Sequence, residues 1–322
     1  MKFLLACLFT ATIFFNPILS SSQENKPSPS GETDFPIPKE LSLCDEPIPL
    51  GDQTALEMLD RELTIAAWDK AQVYMWLKRA GRYFPYLEEM LAREKMPEDI
   101  KYLAVTESNL LPRIKSDKGA VGFWQFMPDT AAHYGLRSDT RMDERCDLEL
   151  STAAALKYLK NLKKTFGTWT LSMAAYNCGE QRMQKAIKEQ RQSDFYNLDL
   201  PDETERFIFQ IAAVKMIMEN PAAYGFHVPV EKIYKPVPCD IVWVDVKSNI
   251  HIADFAEALG TTLKMIRDLN PQIMDNDLPN GAYVIKVPAG AGGKAPLALK
   301  SLSDNPSDSP HHPYKERSKE SK

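Results

Sequence analysis

Glu107 is the residue around which a chemistry can be built. In residues 100–109, Ile100, Leu103, Ala104 and Glu107 recur at i, i+3, i+4 and i+7, which puts the carboxylate on the apolar face of a helix. Pro97 suits the first turn of that helix, and Glu98 and Asp99 complement its dipole. An apolar surrounding disfavours the charged carboxylate and raises its pKa, which is what a general acid near neutral pH requires. The plainer alternative is a Glu at a fraying helix end, solvated or paired with a Lys or Arg. A two-carboxylate mechanism finds no second group close by. Asp99 faces another side of the helix, and Asp117 and Asp129 lie in polar segments. The acid–base chemistry expected here is that of one carboxylate.

The elements that must position Glu107 are helical. Apolar residues from Leu56 to Leu77 recur at helical spacing, with Gly81 as a stop, and a short helix is predicted over 85–95 before the one bearing Glu107. Another is expected from Gln125 to Tyr134 with Pro128 in its first turn, followed by helices over 148–166, 169–176, 180–190 and 201–219. Beyond Pro229, Pro236 and Pro238 the period changes. Strands are predicted over 241–246 and 283–287, flanking short helices over 252–259 and 262–269. The fold class is therefore mainly α, with a small βααβ domain behind it. The predicted divisions are 1–22 signal peptide, 23–50 Pro-rich linker, 51–226 helical domain, 227–239 linker, 240–290 βααβ domain and 291–322 disordered tail.

Composition narrows the function classes. A chain of 322 residues with 44% apolar and 26% charged residues suits a globular protein, and a net charge of −5 argues against a nucleic-acid partner. Lys2 precedes an apolar run over 3–15, and Ser20, Ser21 and Ser22 offer a cleavage site, so export to a periplasm or cell envelope is expected. That run is short for a membrane span, and membrane association through it stays open. Leu4 to Cys7 looks like a lipidation box, but too few apolar residues precede it. Cys44, Cys146, Cys178 and Cys239 would allow up to two disulfides. No Cys-x-x-Cys or His-Glu-x-x-His spacing occurs, so neither a metal nor another cofactor is expected.

Three strings carry a resemblance: Thr106-Glu107-Ser108, Gly122-Phe123-Trp124-Gln125 and Ala174-Ala175-Tyr176-Asn177. With the flanking residues 126–130 and 134–136, their order and spacing resemble lytic murein transglycosylases of goose-lysozyme-like (SLT) fold. The resemblance spans about residues 52–226 and is closest to the membrane-bound lytic murein transglycosylase D group. It implies a lysozyme-like catalytic domain acting on peptidoglycan glycan strands. Glu107 would cleave the bond between N-acetylmuramic acid and N-acetylglucosamine, leaving a 1,6-anhydromuramic end. It further implies that Ser108 bonds near Glu107 or the sugar, that Gln125 contacts the sugar, and that Tyr176 and Asn177 hold substrate and carboxylate in register. Each has a structural alternative: Ser108 as a cap, Gln125 as the cap of the next helix, Tyr176 as core and Asn177 as a turn residue. Phe123, Trp124, Phe126 and Trp169 are either sugar platforms or core.

The chain departs from the family at Phe207, where a Tyr following a Glu-Thr string is usual; Tyr196 and Tyr224 flank it. Residues 240–290 resemble a lysin motif (LysM), a sugar-binding βααβ module, but lack its Gly-Asp-Thr-Leu turn and read Lys247 to Ile250 instead. Two alternatives to the transglycosylase follow: a lysozyme-like muramidase, and a non-catalytic peptidoglycan-binding or scaffold protein.

Overall fold

The computed structural model describes residues 35–304; the predicted signal peptide, the first part of the predicted linker and residues 305–322 lie outside them. The described part is mainly helical, and α3 (Ile100–Ser108) is its central element. Ile100, Tyr102, Leu103, Ala104 and Val105 are all buried, so apolar residues cover nearly the whole circumference of this helix rather than one stripe. Even Lys101 is buried, and its ammonium is held by Glu88 at 2.7 Å and by Glu98. Around α3 lie α1 (Gln53–Trp68), α2 (Lys70–Arg93) and α8 (Asp202–Glu219), with α1 packed against α8 and α3 against both α2 and α8.

The remaining helices complete the shell. These are α4 (Pro128–His133), α5 (Leu148–Phe166), α6 (Trp169–Cys178) and α7 (Glu180–Gln190). The bounds of α5 and α7 are those the sequence predicts. Asp147 starts α5 by accepting from the Leu150 amide at 2.8 Å, and Gly167 ends it.

Several expectations need correction. Gly81 does not stop a helix, and no separate helix covers 85–95: α2 runs through both Gly81 and Pro85. Gly81 is there because the chain crosses closely. A Cβ at that position would lie 2.1 Å from the Ile233 side chain, and the Tyr234 amide donates to the Lys78 carbonyl at 2.9 Å. The 227–239 segment is thus laid against α2. The helix predicted from Gln125 begins instead at Pro128, whose fixed φ and missing N–H suit a first turn.

The described part of the 23–50 segment is also packed. It contains β1 (Ser42–Leu43) and β2 (Glu46–Pro47), an antiparallel pair, and Leu43, Cys44 and Ile48 are in the core. Glu46 fastens the start of α6, accepting from the Trp169 and Thr170 amides at 2.6 and 2.8 Å. The four described cysteines, Cys44, Cys146, Cys178 and Cys239, are free thiols.

The C-terminal module pairs β3 (Cys239–Val246) with β6 (Gly281–Pro288) in antiparallel register, Val242 opposite Ile285 and Val246 opposite Gly281. Val242, Val244 and Val246 turn inward while Ile241, Trp243 and Asp245 face out, the period of two expected of a half-buried strand. A second pair, β4 (Ile250–His251) with β5 (Asp277–Leu278), and two helices, α9 (Ile252–Ala258) and α10 (Leu263–Leu269), close the core. The stretch predicted to be disordered from 291 is ordered over its described part, where α11 (Ala295–Asp304) packs on β3 and α9 with Ala295 and Leu299 buried; residues 305–322 lie outside the described residues. Among the described residues no helix is long and apolar enough to cross a membrane.

Candidate active site

Glu107 stands at the penultimate position of α3, where the buried helix comes out to the surface. It is half-buried. Its carboxylate has no hydrogen bond from any described residue, and its oxygens are not sealed from solvent. Burial, and after it the charge of Glu203, pushes the Glu107 pKa up to about 8. The helix ends sharply. Asn109 and Leu110 both have left-handed backbones, φ 53° and 56°. α2 holds the corner: Trp76 Nε1 donates to Asn109 Oδ1 at 2.7 Å and Arg79 to the Asn109 carbonyl at 2.9 Å.

Ser108 is wholly buried. Its hydroxyl donates to the Ala104 carbonyl at 2.8 Å and accepts from the Leu110 amide at 3.2 Å, so it shapes the helix end as the cap alternative has it.

A tight loop brings Gln125 into place. Val121 bridges both Lys115 and Phe126, and the Gly122 amide donates to the Ile114 carbonyl at 3.0 Å. Gly122 has φ +88°, and a Cβ there would lie 1.8 Å from the Arg145 carbonyl oxygen, so only glycine fits. Gln125 is held at φ +47°, an uncommon backbone for a residue with a side chain. Its Nε2 donates to the carbonyls of Ile114 at 3.2 Å and Gly122 at 2.9 Å. Both donors are thereby used within the loop, and the amide oxygen accepts from no described residue. Gln125 therefore caps its own loop rather than the helix after it.

The sequence reading missed the group that holds this loop. Arg145 is buried and donates to the Gly119 and Phe126 carbonyls, each at 3.1 Å, so it ties the two ends of the loop together. Asp143 receives its other face in a two-point ion pair, at 2.8 and 2.7 Å. Nothing in the sequence signals this, since the partners are backbone carbonyls remote along the chain.

From the third string, Tyr176 reaches back to the loop. Its hydroxyl donates to the Trp124 carbonyl at 2.7 Å. Burial, and then the nearby Glu107 charge, holds the Tyr176 phenol well above its usual pKa. Asn177 lies within α6 rather than in a turn, and its Oδ1 accepts from the Thr204 hydroxyl at 3.0 Å, which links α6 to the start of α8. Phe207 is a buried core residue of α8. The flanking tyrosines are engaged elsewhere: Tyr196 packs on Phe195 and Phe209, and Tyr224 donates to the Pro36 carbonyl.

Two further groups belong to the site. Glu203, on the first turn of α8, is exposed and ion-paired with Lys118 at 3.1 Å. It is the carboxylate whose charge Glu107 feels, and the sequence reading passed over it because the two are far apart in the chain. Tyr134, Tyr158 and Tyr176 form a half-buried row, with ring centroids 4.9 and 5.1 Å apart. By contrast Phe123, Trp124 and Phe126 are core, while Trp169 is half-buried under the Lys163 ammonium. Among the described residues no cluster of His, Cys, Asp and Glu is placed to hold a metal ion.

Residues 85–198 match the transglycosylase SLT domain family, and this stretch includes Glu107, Gln125, Tyr176 and Asn177. The chain is 31% identical over 216 residues to membrane-bound lytic murein transglycosylase D of Escherichia coli K12, covering 65% of this chain and 47% of that protein. It is 41% identical over 86 residues to peptidoglycan transglycosylase gp16 of Escherichia phage T7, covering 26% of this chain and 6% of that protein. The chain thus spans about half the length of the first of these relatives. The solved 70 kDa soluble lytic transglycosylase SLT70 of Escherichia coli overlaps 52% of this chain and 29% of its own, at 21% identity and a TM-score of 0.33.

Proposed function

The chain carries a transglycosylase SLT domain over residues 85–198, and from that premise we propose that it is a lytic transglycosylase of cell-wall peptidoglycan working with one carboxylate. The observation that carries the reading is the state of Glu107: half-buried, free of hydrogen bonds from the described residues, and protonated up to about pH 8.

The chemistry balances with that one group. Glu107 donates its proton to the oxygen joining C1 of N-acetylmuramic acid to N-acetylglucosamine, and the C1–O bond breaks. The C6 hydroxyl of the same muramic residue attacks C1, and the Glu107 carboxylate takes up its proton. The products are an N-acetylglucosamine with a free hydroxyl and a 1,6-anhydromuramic end. No water is consumed and the enzyme returns to its starting state. Proton transfer of this kind supplies about 10²–10⁴-fold in rate, and the remainder falls to positioning and charge stabilisation. The Gln125 amide oxygen, oriented by the two hydrogen bonds its nitrogen donates, accepts from a sugar hydroxyl or amide. Tyr176 and Asn177 keep the loop and α8 in place around it.

Glu203 supports a second reading, a muramidase that uses water. It is a second carboxylate within electrostatic reach of Glu107. Its exposure and its ion pair with Lys118 count against the role of a base. Names of relatives that are membrane-bound or act on peptidoglycan support a cell-envelope location and the glycan strand as substrate. Sugar binding by the C-terminal module is part of the same proposal.

The test is release of soluble fragments from purified sacculi. Glu107→Gln should abolish release while the protein still pellets with the sacculi. No release from either protein with both pelleting would point to a glycan-binding protein without this chemistry, and equal release would take the acid role from Glu107.

A further inference from the structure

The C-terminal module touches the rest of the chain beside the Gln125 loop. Residues 141–143 and 272–274 run antiparallel: the Asp143 amide donates to the Gln272 carbonyl at 2.8 Å, the Met274 amide to the Arg141 carbonyl at 2.9 Å, and Met142 bridges Ile273. The Met142 side chain is buried in the core of the module itself. From the other side, Arg113 donates to three module carbonyls, those of Pro271 at 2.9 Å, Arg267 at 3.3 Å and Ile273 at 3.4 Å. The Lys286 ammonium lies between Asp147, at 3.6 Å, and Glu149 at the start of α5.

Both routes lead to the same loop. Asp143 is the carboxylate that pairs with Arg145, and Arg145 ties Gly119 to Phe126. Arg113 immediately precedes Ile114, whose carbonyl accepts from Gln125 Nε2 and from the Gly122 amide. One segment of the module, residues 271–274, therefore fixes both anchors of the loop that presents Gln125. A module tethered only to bring a sugar-binding surface near the substrate needs none of these contacts.

We infer that the C-terminal module is a built-in buttress of the active site, and that Arg113 is a positioning residue acting through the Gln125 loop. The inference rests on the proposed function for its kinetic readout but not for its structural one. Arg113 suits the test because it is exposed, whereas changes at buried Asp143 or Arg145 risk unfolding the protein.

The experiment uses the full chain and the variants Arg113→Ala, Arg113→Lys, Gln125→Ala and the Arg113→Ala/Gln125→Ala double variant. Two quantities are measured: amide hydrogen exchange over residues 119–126, and fragment release from sacculi at saturating and limiting substrate. Arg113→Ala should speed exchange in that segment at least about tenfold with little change in melting temperature. It should lower the rate at saturation about three- to tenfold, with Arg113→Lys in between. Added to Gln125→Ala, it should cost nothing further, because both changes remove the same positioned amide. Unchanged exchange over 119–126 overturns the inference whether or not the protein digests sacculi. So do losses that multiply in the double variant. If the wild type releases nothing but exchange responds as stated, the buttress stands and the proposed function fails.

Discussion

The Tyr176 hydroxyl donates to the carbonyl of Trp124 at 2.7 Å, one residue before Gln125. That bond joins the third sequence string to the second and makes α6 a fixed support for the loop. Its removal is the cleanest test of loop positioning. Tyr176→Phe should cost about 1 kcal/mol in stability, the usual net value of such a bond. It should also lower the rate of sacculus digestion several-fold while pelleting with sacculi is retained. A rate equal to the wild type at saturating substrate would show that the loop does not depend on this bond.

Gly122 gives a steric prediction. With φ +88° and the Arg145 carbonyl 1.8 Å from where a Cβ would sit, Gly122→Ala cannot be accommodated without moving the Arg145 backbone. A loss of roughly 2–4 kcal/mol in denaturant unfolding is expected, above the loss of about 1 kcal/mol typical of an average substitution. A stable, active Gly122→Ala protein would contradict the loop geometry.

Glu107 makes stability depend on pH in a particular direction. In the unfolded chain this carboxyl ionises near 4.5, while the folded protein holds its proton to about 8. Between those values the folded state binds more protons, so the wild type loses stability as pH rises. Glu107→Gln has no such proton to lose. It should melt higher than the wild type at pH 8, by an amount equivalent to roughly 2 kcal/mol given the carboxylate's contact with solvent, and the two should converge below pH 4.5. Thermal melts of both proteins across this range check it; a gap that widens toward acid would contradict the burial of Glu107.

The charge of Glu203 is the second contributor to the raised pKa of Glu107, after burial. Activity needs the protonated acid, so it should fall as pH passes about 8. Glu203→Gln should move that alkaline limb downward by a few tenths of a pH unit at low salt. Because Glu203 is exposed, the shift should shrink as ionic strength rises. A pH–rate profile at two salt concentrations decides it, and an upward shift would contradict the arrangement.

How much of this was legible in the chain depends on the range of the forces involved. Glu107 was readable because its neighbours lie within two turns of one helix, and the bounds of α5 were readable because Asp147 and Gly167 cap it locally. Gly81 is ambiguous in the chain, since a glycine that ends a helix and one that admits a crossing segment look alike until Ile233 is placed against it. For Ser108 the resemblance implies a bond near Glu107 or the sugar, while the residue type alone allows a cap; its hydroxyl's partners, Ala104 and Leu110, are backbone groups without a side-chain signature. The hold of Arg145 on the Gly119 and Phe126 carbonyls, the charge of Glu203 beside Glu107 and the tyrosine row have no local signature for a related reason. Their partners come together only through the tertiary fold.

In the proposed reaction Glu107 alone supplies the acid and then the base, with the muramic C6 hydroxyl as nucleophile. Mass measurement of the fragments released from purified peptidoglycan tests it most directly. Products lighter by one water than those of a muramidase are expected from the wild type and should be absent with Glu107→Gln. Fragments at the hydrolytic mass would contradict it and assign the attack to water.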